Sequence, residues 1–443
     1  MKKYDVAIIG AGILGVTIAY WLSVLFDCSI VLIDKEARPA FHTSSRNTGV
    51  VHRPFYLDPV KKKIFAKAAQ KSYFLWKDLA SKYGLPWKQL GTLEVAIEER
   101  DLGALEKYAK WATNNGMEES EFQVLGSEDV RKIEPEVRAS GAFFSKTDSA
   151  VEYGSFTNCI FEIASKNGVR FMNNCEVKGA IESKDAVKLK VRKNDNTKGI
   201  EEIECGTLIN AAGGGSLDIA HMMGYAFEYT DLHFRGEYYS VLEPYASRIS
   251  RNIYSVPKHR EFPFLDPHFI VRANRKKEIG PNAVLVATPG TYHGLSESKS
   301  ELVKKILERP NSPKIKLFTS AEFLSLVADE WKSSLSKKAM CDRVRQFLPS
   351  LSQDAVGAKG LAGVRSSLID SDGFVPEAIQ IAGSKSIHVL NYNSPGATGA
   401  PAYSAYVVAR AWKEGMLEGF RRRKAGELEA YSLWDYFEAS ELV

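Results

Sequence analysis

Cysteine is scarce in this sequence and follows no recognised pattern. The 443 residues hold five cysteines, an odd number, spread along the chain without a C-x-x-C pair or a neighbouring histidine cluster. This spacing argues against a disulfide framework and a structural zinc site, so we expect reduced thiols, no metal and a cytoplasmic location. The five residues are Cys28, Cys159, Cys175, Cys205 and Cys341.

A strong charge of one sign is also missing. The chain has 59 lysines and arginines against 54 acidic residues, a formal charge of +5 that is spread thinly. This balance gives no basis for nucleic-acid binding. The length is about three times the 150 residues usual for one domain, so we expect two or more domains or one elaborate core.

Long uncharged runs are rare, and the prominent one covers residues 6–26, which carry no charge over 21 residues and follow two lysines. Such a run resembles a signal peptide or a membrane anchor. It nevertheless contains Gly10, Gly12 and Gly15 in G-x-G-x-x-G spacing. Neither a signal peptide nor an anchor requires glycines at this spacing.

The residues around these glycines indicate a βαβ unit. Residues 4–9 predict a strand, residues 13–25 suit a buried helix, and residues 29–34 predict a second strand that ends at Asp34. The glycines permit a tight turn, close approach of a pyrophosphate and close packing of helix on strand, while Asp34 can accept hydrogen bonds from a ribose. The sequence therefore predicts dinucleotide binding and no membrane span.

Two later segments extend this prediction. Residues 207–215 predict a buried strand that runs into a glycine turn, which is typical of flavoproteins with a two-dinucleotide fold and favours FAD over NAD. Residues 387–393 predict another strand, followed by a glycine-rich loop over residues 394–399 and a helix over residues 401–418. A glycine-rich loop that opens a helix presents N–H groups to an electron-rich ligand edge.

Between these segments, residues 232–340 are richer in aromatic residues and prolines and predict a mixed sheet with inserted helices, a plausible substrate domain. Residues 421–424 are all basic. For the tail we favour a solvated charge run with a docked terminal helix over contact with anionic lipid.

The sequence resembles the D-amino-acid oxidase/glycine oxidase superfamily of FAD oxidoreductases and, within it, most closely the L-2-hydroxyglutarate dehydrogenase/oxidase family. The resemblance covers residues 1 to about 415. The matching segments are residues 10–15, 44–52 (SSRNTGVVH), 235–239 (RGEYY), 262–265 with 268–269, 280–285 (GPNAVL), and 363–365 with 372–373.

The resemblance implies an α/β and α+β fold in which an FAD-binding Rossmann-like (GR2-type) domain is interleaved with a mixed-sheet substrate domain. The expected FAD-binding segments are residues 1–80, 141–230 and 341–420. The expected substrate segments are residues 81–140 and 231–340, and residues 421–443 form the C-terminal tail.

The resemblance also implies the cofactor contacts. Small donors after the second strand suit the pyrophosphate or the ribityl hydroxyls, and no cysteine lies near Arg365 or in residues 394–399, so we expect non-covalent FAD. The cofactor residues expected are Gly10, Gly12, Ile13, Leu14, Gly15, Asp34, Lys35, Ser44, Ser45, Thr48, Gly49, Val177, Ala212, Gly213, Arg365, Gly396, Thr398 and Gly399.

For the chemistry, an imidazole can accept a proton near neutral pH, and the resemblance places His52 at the flavin, so His52 is the candidate base. Arg235 and Arg365 are candidates for binding a substrate carboxylate in two-point geometry. Tyr239 and Tyr254 are further candidates through their hydroxyl groups. The role of a third arginine stays open, because the family pattern has Ala-Gly where this chain has Arg53-Pro54. Arg53 can either bind a distal carboxylate or block it.

The sequence therefore predicts an FAD-dependent dehydrogenase or oxidase that oxidises the CH–OH group of a small 2-hydroxy acid, similar to L-2-hydroxyglutarate, by hydride transfer to flavin N5. The alternatives are an amino-acid or secondary-amine enzyme of the glycine, sarcosine or proline type, a glycerol-3-phosphate dehydrogenase, and a redox-silent flavin-binding or tRNA-modifying protein. The electron acceptor stays open between oxygen, a quinone and a dye-type acceptor. We expect a small carboxylate as substrate, no nucleic acid, and at most peripheral contact with a membrane.

Overall fold

The structure is a computed structural model that describes residues 1–194, 199–258, 262, 266–294, 299–424 and 427. In this part of the chain the helices are Ile13–Leu25, Lys63–Tyr83, Leu102–Asn114, Ser127–Ile133, Tyr153–Lys166, Ser216–Met222, Lys299–Leu307, Ser312–Phe318, Ala321–Leu335, Lys337–Val344 and Gly396–Lys413.

The first sheet has eight strands and carries the predicted dinucleotide unit. Its parallel core places Lys2–Ile9 between Ile30–Ile33 and Ile200–Asn210, as expected for a doubly wound arrangement. In spatial order the strands are Arg170–Met172, Ile30–Ile33, Lys2–Ile9, Ile200–Asn210, Val187–Lys193 and Cys175–Glu182, with Ser386–Leu390 also paired to Ile200–Asn210 and Ile379–Ala382 paired to Ser386–Leu390.

The uncharged run at residues 6–26 is buried inside this unit. Residues 6–9 of the run end the strand Lys2–Ile9, which begins two residues before the predicted start, and the helix Ile13–Leu25 follows with the predicted bounds. This helix packs against the helices Tyr153–Lys166 and Gly396–Lys413 in the largest hydrophobic cluster. Among the described residues, the structure contains no helix with the length and apolar character needed to span a bilayer.

A second sheet of eight strands and a third of four form the predicted mixed-sheet part. The second has the order Val356–Lys359, Tyr239–Val241, Lys277–Gly280, His268–Val271, Asn252–Ser255, Thr92–Ala96, Gly141–Ser145 and Phe122–Gly126. The third has the order Val284–Val286, Thr230–Gly236, Gly363–Asp370 and Gly373–Phe374. Small sheets pair Val50–Val51 and Trp87–Gln89 with Ser149–Val151, and Phe26–Asp27 with Arg421–Arg422.

Three of the strands expected in the FAD-binding part pair with the mixed-sheet part. Gly141–Ser145 pairs with Thr92–Ala96 in the second sheet, and Val356–Lys359 pairs with Tyr239–Val241. Gly363–Asp370 pairs with Thr230–Gly236 in the third sheet and brings the short strand Gly373–Phe374 with it. Strand pairing across long sequence separations set these positions, and no local pattern in the segments indicates their partners.

One prediction near the C-terminus is also revised. The last large helix begins at Gly396 and contains Pro401, whereas the sequence predicted its start at Pro401. Within the basic run, Arg421, Arg422 and Lys424 are exposed, and Arg421 and Arg423 pair with Asp27. The predicted terminal helix and most of the tail lie outside the described residues, as do residues 195–198 of the predicted hairpin and residues 263–265 of one family segment.

Candidate functional site

A cleft opens at the carboxyl end of the first sheet, where the third sheet faces it. Two helix N-termini reach this cleft, since Ile13 and Leu14 begin one helix and residues 396–398 begin another. Further lining residues are Gly12, Thr43, Ser44, Arg46, Asn47, Thr48, Val50, His52, Tyr153, Ala211, Gly213, Phe234, Gly236, Tyr238, Gly363, Arg365, Asn391 and Asn393.

The three glycines of the first motif have distinct roles. Gly10 has a φ of +102°, which a residue with a side chain rarely adopts, and a Cβ on Gly15 would lie 1.8 Å from the Gly10 carbonyl oxygen. Both therefore shape the turn and the helix packing and do not themselves line the cleft. Gly12 does line it, and a Cβ there would lie 3.2 Å from Ser44 Oγ.

The predicted ribose acid lies behind this turn. Asp34 Oδ2 accepts a hydrogen bond from the Ala11 N–H at 2.6 Å, and Asp34 Oδ1 accepts one from the Glu36 N–H at 2.9 Å. Burial raises the pKa of Asp34, and these N–H donors lower it. Lys35 is exposed and lies away from the cleft. Asp34 thus stabilises the glycine turn directly.

The loop that follows the second strand divides into two groups. Ser44 and Thr48 line the cleft, and Ser44 Oγ accepts a hydrogen bond from the Ile13 N–H at 2.9 Å, which ties the loop to the helix N-terminus. Ser45 points elsewhere, because its hydroxyl donates to the Ala40 carbonyl oxygen at 2.6 Å. Gly49 has a φ of +71° and lies outside the lining.

The remaining predicted cofactor residues also separate. Gly213, Gly396 and Thr398 line the cleft, and the Thr398 carbonyl oxygen accepts a hydrogen bond from Trp76 Nε1 at 2.8 Å. Ala212 and Gly399 are adjacent to lining residues. Val177 is a buried core residue on Cys175–Glu182, beside a β-bulge.

His52 lies at the cleft with a partner that the sequence did not indicate. Its Nδ1 is 2.8 Å from Asp148 Oδ2, and its side chain is 14% exposed while that of Asp148 is fully buried. The Thr398 hydroxyl accepts a hydrogen bond from the His52 backbone N–H at 3.3 Å. His52 is therefore held by two contacts, with Nε2 on the edge of the ring opposite Asp148.

Tyr254 and His268 form a stack beside His52. The Tyr254 hydroxyl is 3.4 Å from His52 Nε2, and its ring lies on His268 with the centroids 3.9 Å apart. Burial raises the pKa of Tyr254 well above its ordinary value, so that its hydroxyl stays protonated. Tyr254 therefore contacts the candidate base, and its role in the site stays a prediction.

Arg365 is the predicted arginine that reaches the cleft. It lies on Gly363–Asp370, and Tyr56 and Tyr238 contribute to its electrostatic surroundings. Burial lowers the pKa of Arg365, and the two tyrosines raise it. Arginine has so high an ordinary pKa that the group remains a cation, placed to meet an anionic ligand.

Arg235 and Tyr239 do not reach the cleft, which corrects both predictions. Arg235 is 3% exposed, lies 3.1 Å from the Glu237 carboxylate and donates to the Gly294 carbonyl oxygen. The Tyr239 hydroxyl donates to the Ser334 carbonyl oxygen at 2.8 Å. Both side chains satisfy their polar atoms inside the protein and stabilise the fold.

Arg53 is not among the residues that line the cleft. Its side chain is fully buried, pairs with both carboxylate oxygens of Glu121, donates to Gln70 Oε1 at 2.9 Å, and lies over the Tyr73 ring at 4.3 Å. A guanidinium so enclosed has a structural role, and the departure from the family pattern at this position does not add a cation to the cleft.

Several residues in or beside the cleft were not predicted from the sequence. Asp148 is 96 positions from His52 and has no local signal beyond being an acid in a turn. Arg46, Asn47 and Tyr238 lie within matching family segments and line the cleft, as does Tyr153, which no motif marks.

The lining residues fit a flavin dinucleotide. Two helix N-termini, a glycine without a side chain and small hydroxyl donors suit a pyrophosphate and an electron-rich ring edge. The long cleft between the first and third sheets then has His52 and Arg365 among the lining residues beyond the pyrophosphate loop.

Comparisons with known proteins agree with this fit. A family model described as FAD dependent oxidoreductase (DAO) matches residues 5–410. Human mitochondrial L-2-hydroxyglutarate dehydrogenase is 30% identical over 419 residues, covering 92% of this chain and 88% of its own. The Escherichia coli K12 L-2-hydroxyglutarate dehydrogenase is 28% identical over 410 residues, covering 92% and 93%.

Solved structures share the fold. L-alpha-glycerophosphate oxidase from Mycoplasma pneumoniae, solved with FAD bound, has a TM-score of 0.72 at 21% identity and covers 96% of this chain and 97% of its own. L-proline dehydrogenase from P. horikoshii has a TM-score of 0.65 at 18% identity, with 94% of each chain covered. Together with the match over residues 5–410, this shows that the chain belongs to the DAO family of FAD-dependent oxidoreductases.

Proposed function

We propose that the protein oxidises the CH–OH group of a small 2-hydroxy acid of the L-2-hydroxyglutarate type to the corresponding 2-oxo acid. The observation that carries this proposal is that His52 and Arg365 line the same cleft as the glycine loop. A base and a carboxylate-binding cation beside the cofactor are what a 2-hydroxy acid requires. The relatives named above support the substrate class over nearly the whole chain.

In the reaction, Arg365 binds the substrate carboxylate through its planar guanidinium and so orients the adjacent carbon. His52 accepts the hydroxyl proton at Nε2. Bound FAD supplies a two-electron acceptor for the hydride that leaves the same carbon. The C–H and O–H bonds break, one C=O bond forms, and the proton stays on His52 until it passes to solvent.

FAD is held without a covalent link in this proposal. Gly12, Ile13 and Ser44 would hold the pyrophosphate, and the first turn of the helix Gly396–Lys413 would face the pyrimidine edge. None of the five cysteines, all of which lie in the described part of the chain, is among the lining residues. A cytoplasmic location, with or without peripheral membrane contact, stays a prediction of the sequence.

The test is anaerobic bleaching of the flavin by a panel of substrates. We expect L-2-hydroxyglutarate or a close 2-hydroxy acid to bleach the flavin fastest. Bleaching by amino acids, secondary amines or glycerol 3-phosphate alone would replace the proposal by the matching alternative, and bleaching by none of them would favour a redox-silent protein. Reoxidation of the reduced protein by oxygen, a soluble quinone or a dye then identifies the acceptor class.

A further inference from the structure

Asp148 is a fully buried carboxylate with a full set of donors. It lies in the turn between Gly141–Ser145 and Ser149–Val151. Its Oδ2 faces His52 Nδ1 at 2.8 Å. Its Oδ1 accepts hydrogen bonds from the Arg53 N–H at 2.9 Å and from the Ser145 hydroxyl at 2.6 Å.

This arrangement determines which ring nitrogen of His52 carries the proton. An ionised carboxylate can only accept hydrogen bonds, so Nδ1 must donate, and in a neutral imidazole Nε2 then has a free lone pair. We infer that Asp148 is the positioning residue that holds His52 as the Nδ1–H tautomer, which makes Nε2 the atom that takes the substrate proton. The catalytic consequence rests on the proposed function, whereas the tautomer does not.

The groups around the ring agree with this assignment. The Tyr254 hydroxyl, 3.4 Å from Nε2, is a donor suited to that lone pair, and the Tyr56 ring meets His52 edge-on. When Nε2 takes a proton, the imidazolium lies against the Asp148 carboxylate, so the new charge is compensated where it forms.

His268 offers a contrast within the same cluster. It is 2% exposed, its Nε2 has no hydrogen-bond partner among the described residues, and burial lowers its pKa to about 3. It therefore resists taking a proton. What distinguishes the two histidines is the carboxylate of Asp148, which contacts His52.

An amide at position 148 should invert the tautomer. The Arg53 N–H is a fixed backbone donor, so the single oxygen of an asparagine would remain at the Oδ1 position and its NH2 group would face His52. Nδ1 would then have to accept, which places the proton on Nε2 and removes the base. The size of the side chain would hardly change.

The experiment uses the flavin-loaded protein with 15N-labelled histidine. Nitrogen chemical shifts give the tautomer of His52, which a His52→Gln variant assigns, in wild type and in Asp148→Asn. Stopped-flow flavin reduction by the best substrate is measured in parallel. The matched control is Glu134→Gln, which alters another buried carboxylate that accepts from the Ser250 N–H and pairs with Arg251, outside the cleft.

We expect wild type to show a protonated Nδ1 and a bare Nε2, and Asp148→Asn to show the reverse, with reduction slowed about 10³- to 10⁴-fold. Glu134→Gln should lower stability but keep the reduction rate per bound flavin. A bare Nδ1 in wild type, or an Asp148→Asn rate within tenfold of wild type, would overturn the inference. If no substrate reduces the wild-type flavin, the proposed function fails, and the nitrogen shifts alone still decide the tautomer.

Discussion

Two arginines on neighbouring strands of the third sheet have opposite roles. In the antiparallel pair, Arg365 lies directly opposite Phe234, whereas Arg235 lies opposite Val364. Opposed residues share a face and successive residues alternate, so a difference of one position puts the two guanidinium groups on opposite sides of the sheet. One faces the cofactor cleft and the other faces the interior.

The two sides surround a cation differently. On the cleft side, Arg365 has Tyr56 and Tyr238 in its electrostatic surroundings and lines the cleft. On the interior side, burial raises the pKa of Glu237, but hydrogen bonds from Ser334, Asn282 and Lys359 and the charge of Arg235 hold it below its ordinary value. Residue type alone therefore does not identify a carboxylate-binding arginine, because strand register decides which face of the sheet the side chain occupies.

Among the variants that test the comparison of the arginines, the largest effect is expected from removing the cleft cation. Arg365→Ala should lower kcat/KM for the 2-hydroxy acid by about 10²- to 10³-fold, because loss of one partner of a desolvated charge pair costs about 2–5 kcal/mol. Steady-state kinetics and thermal unfolding of the FAD-loaded protein measure it. Arg365→Lys, which keeps the charge but loses the planar fork, should fall between. Unchanged kcat/KM in Arg365→Ala would remove the residue from the site.

Removing the interior cation should lower stability and leave catalysis nearly unchanged. Arg235→Met leaves Glu237 short of a buried partner and should lower the free energy of unfolding by about 3 kcal/mol. The reduction rate per bound flavin should stay within about threefold. Urea unfolding and stopped-flow reduction test this, and Arg235→Met with Glu237→Gln should recover part of the stability. A loss of substrate affinity with unchanged stability would restore Arg235 as a binding residue.

Arg53 extends the comparison to a residue near His52 in sequence. Arg53→Met removes the partner of the Glu121 carboxylate and the cation over Tyr73, so we expect a loss of about 2–3 kcal/mol in unfolding free energy. The ratio of KM for a dicarboxylate to KM for a monocarboxylate should be the same in Arg53→Met as in wild type. A selective rise in KM for the dicarboxylate would show that Arg53 reaches the substrate.

The smallest effect is expected at His388, a buried histidine with a structural role. Burial lowers the pKa of His388 to about 4, from 6.5. Between these values the unfolded chain binds a proton that the folded protein does not, so stability falls as pH drops from 6.5 toward 4. In His388→Gln this slope should be shallower by about 1.4 kcal/mol per pH unit. Urea unfolding from pH 4.5 to 6.5 checks it, and an unchanged slope would contradict the burial of a neutral ring.

Prediction from the sequence succeeded where function depends on backbone shape. The positions of Gly10 and Gly15 follow from steric limits that any chain obeys, and the helix Ile13–Leu25 has the predicted bounds. It failed where an element boundary depends on packing. The helix at Gly396 starts before Pro401 because its first turn packs at the cleft, which a proline signal does not reveal.

Glycine spacing and local motifs act within a few residues, so they were enough to predict the dinucleotide turn, to suggest the family and to name His52 as a candidate base. The tertiary structure was needed to show which of the predicted arginines lines the cleft, that Arg53 pairs internally with Glu121, and that Asp148 contacts His52. These depend on strand register and on contacts between residues far apart in the chain, where a shift of one position moves a side chain to the other face of a sheet.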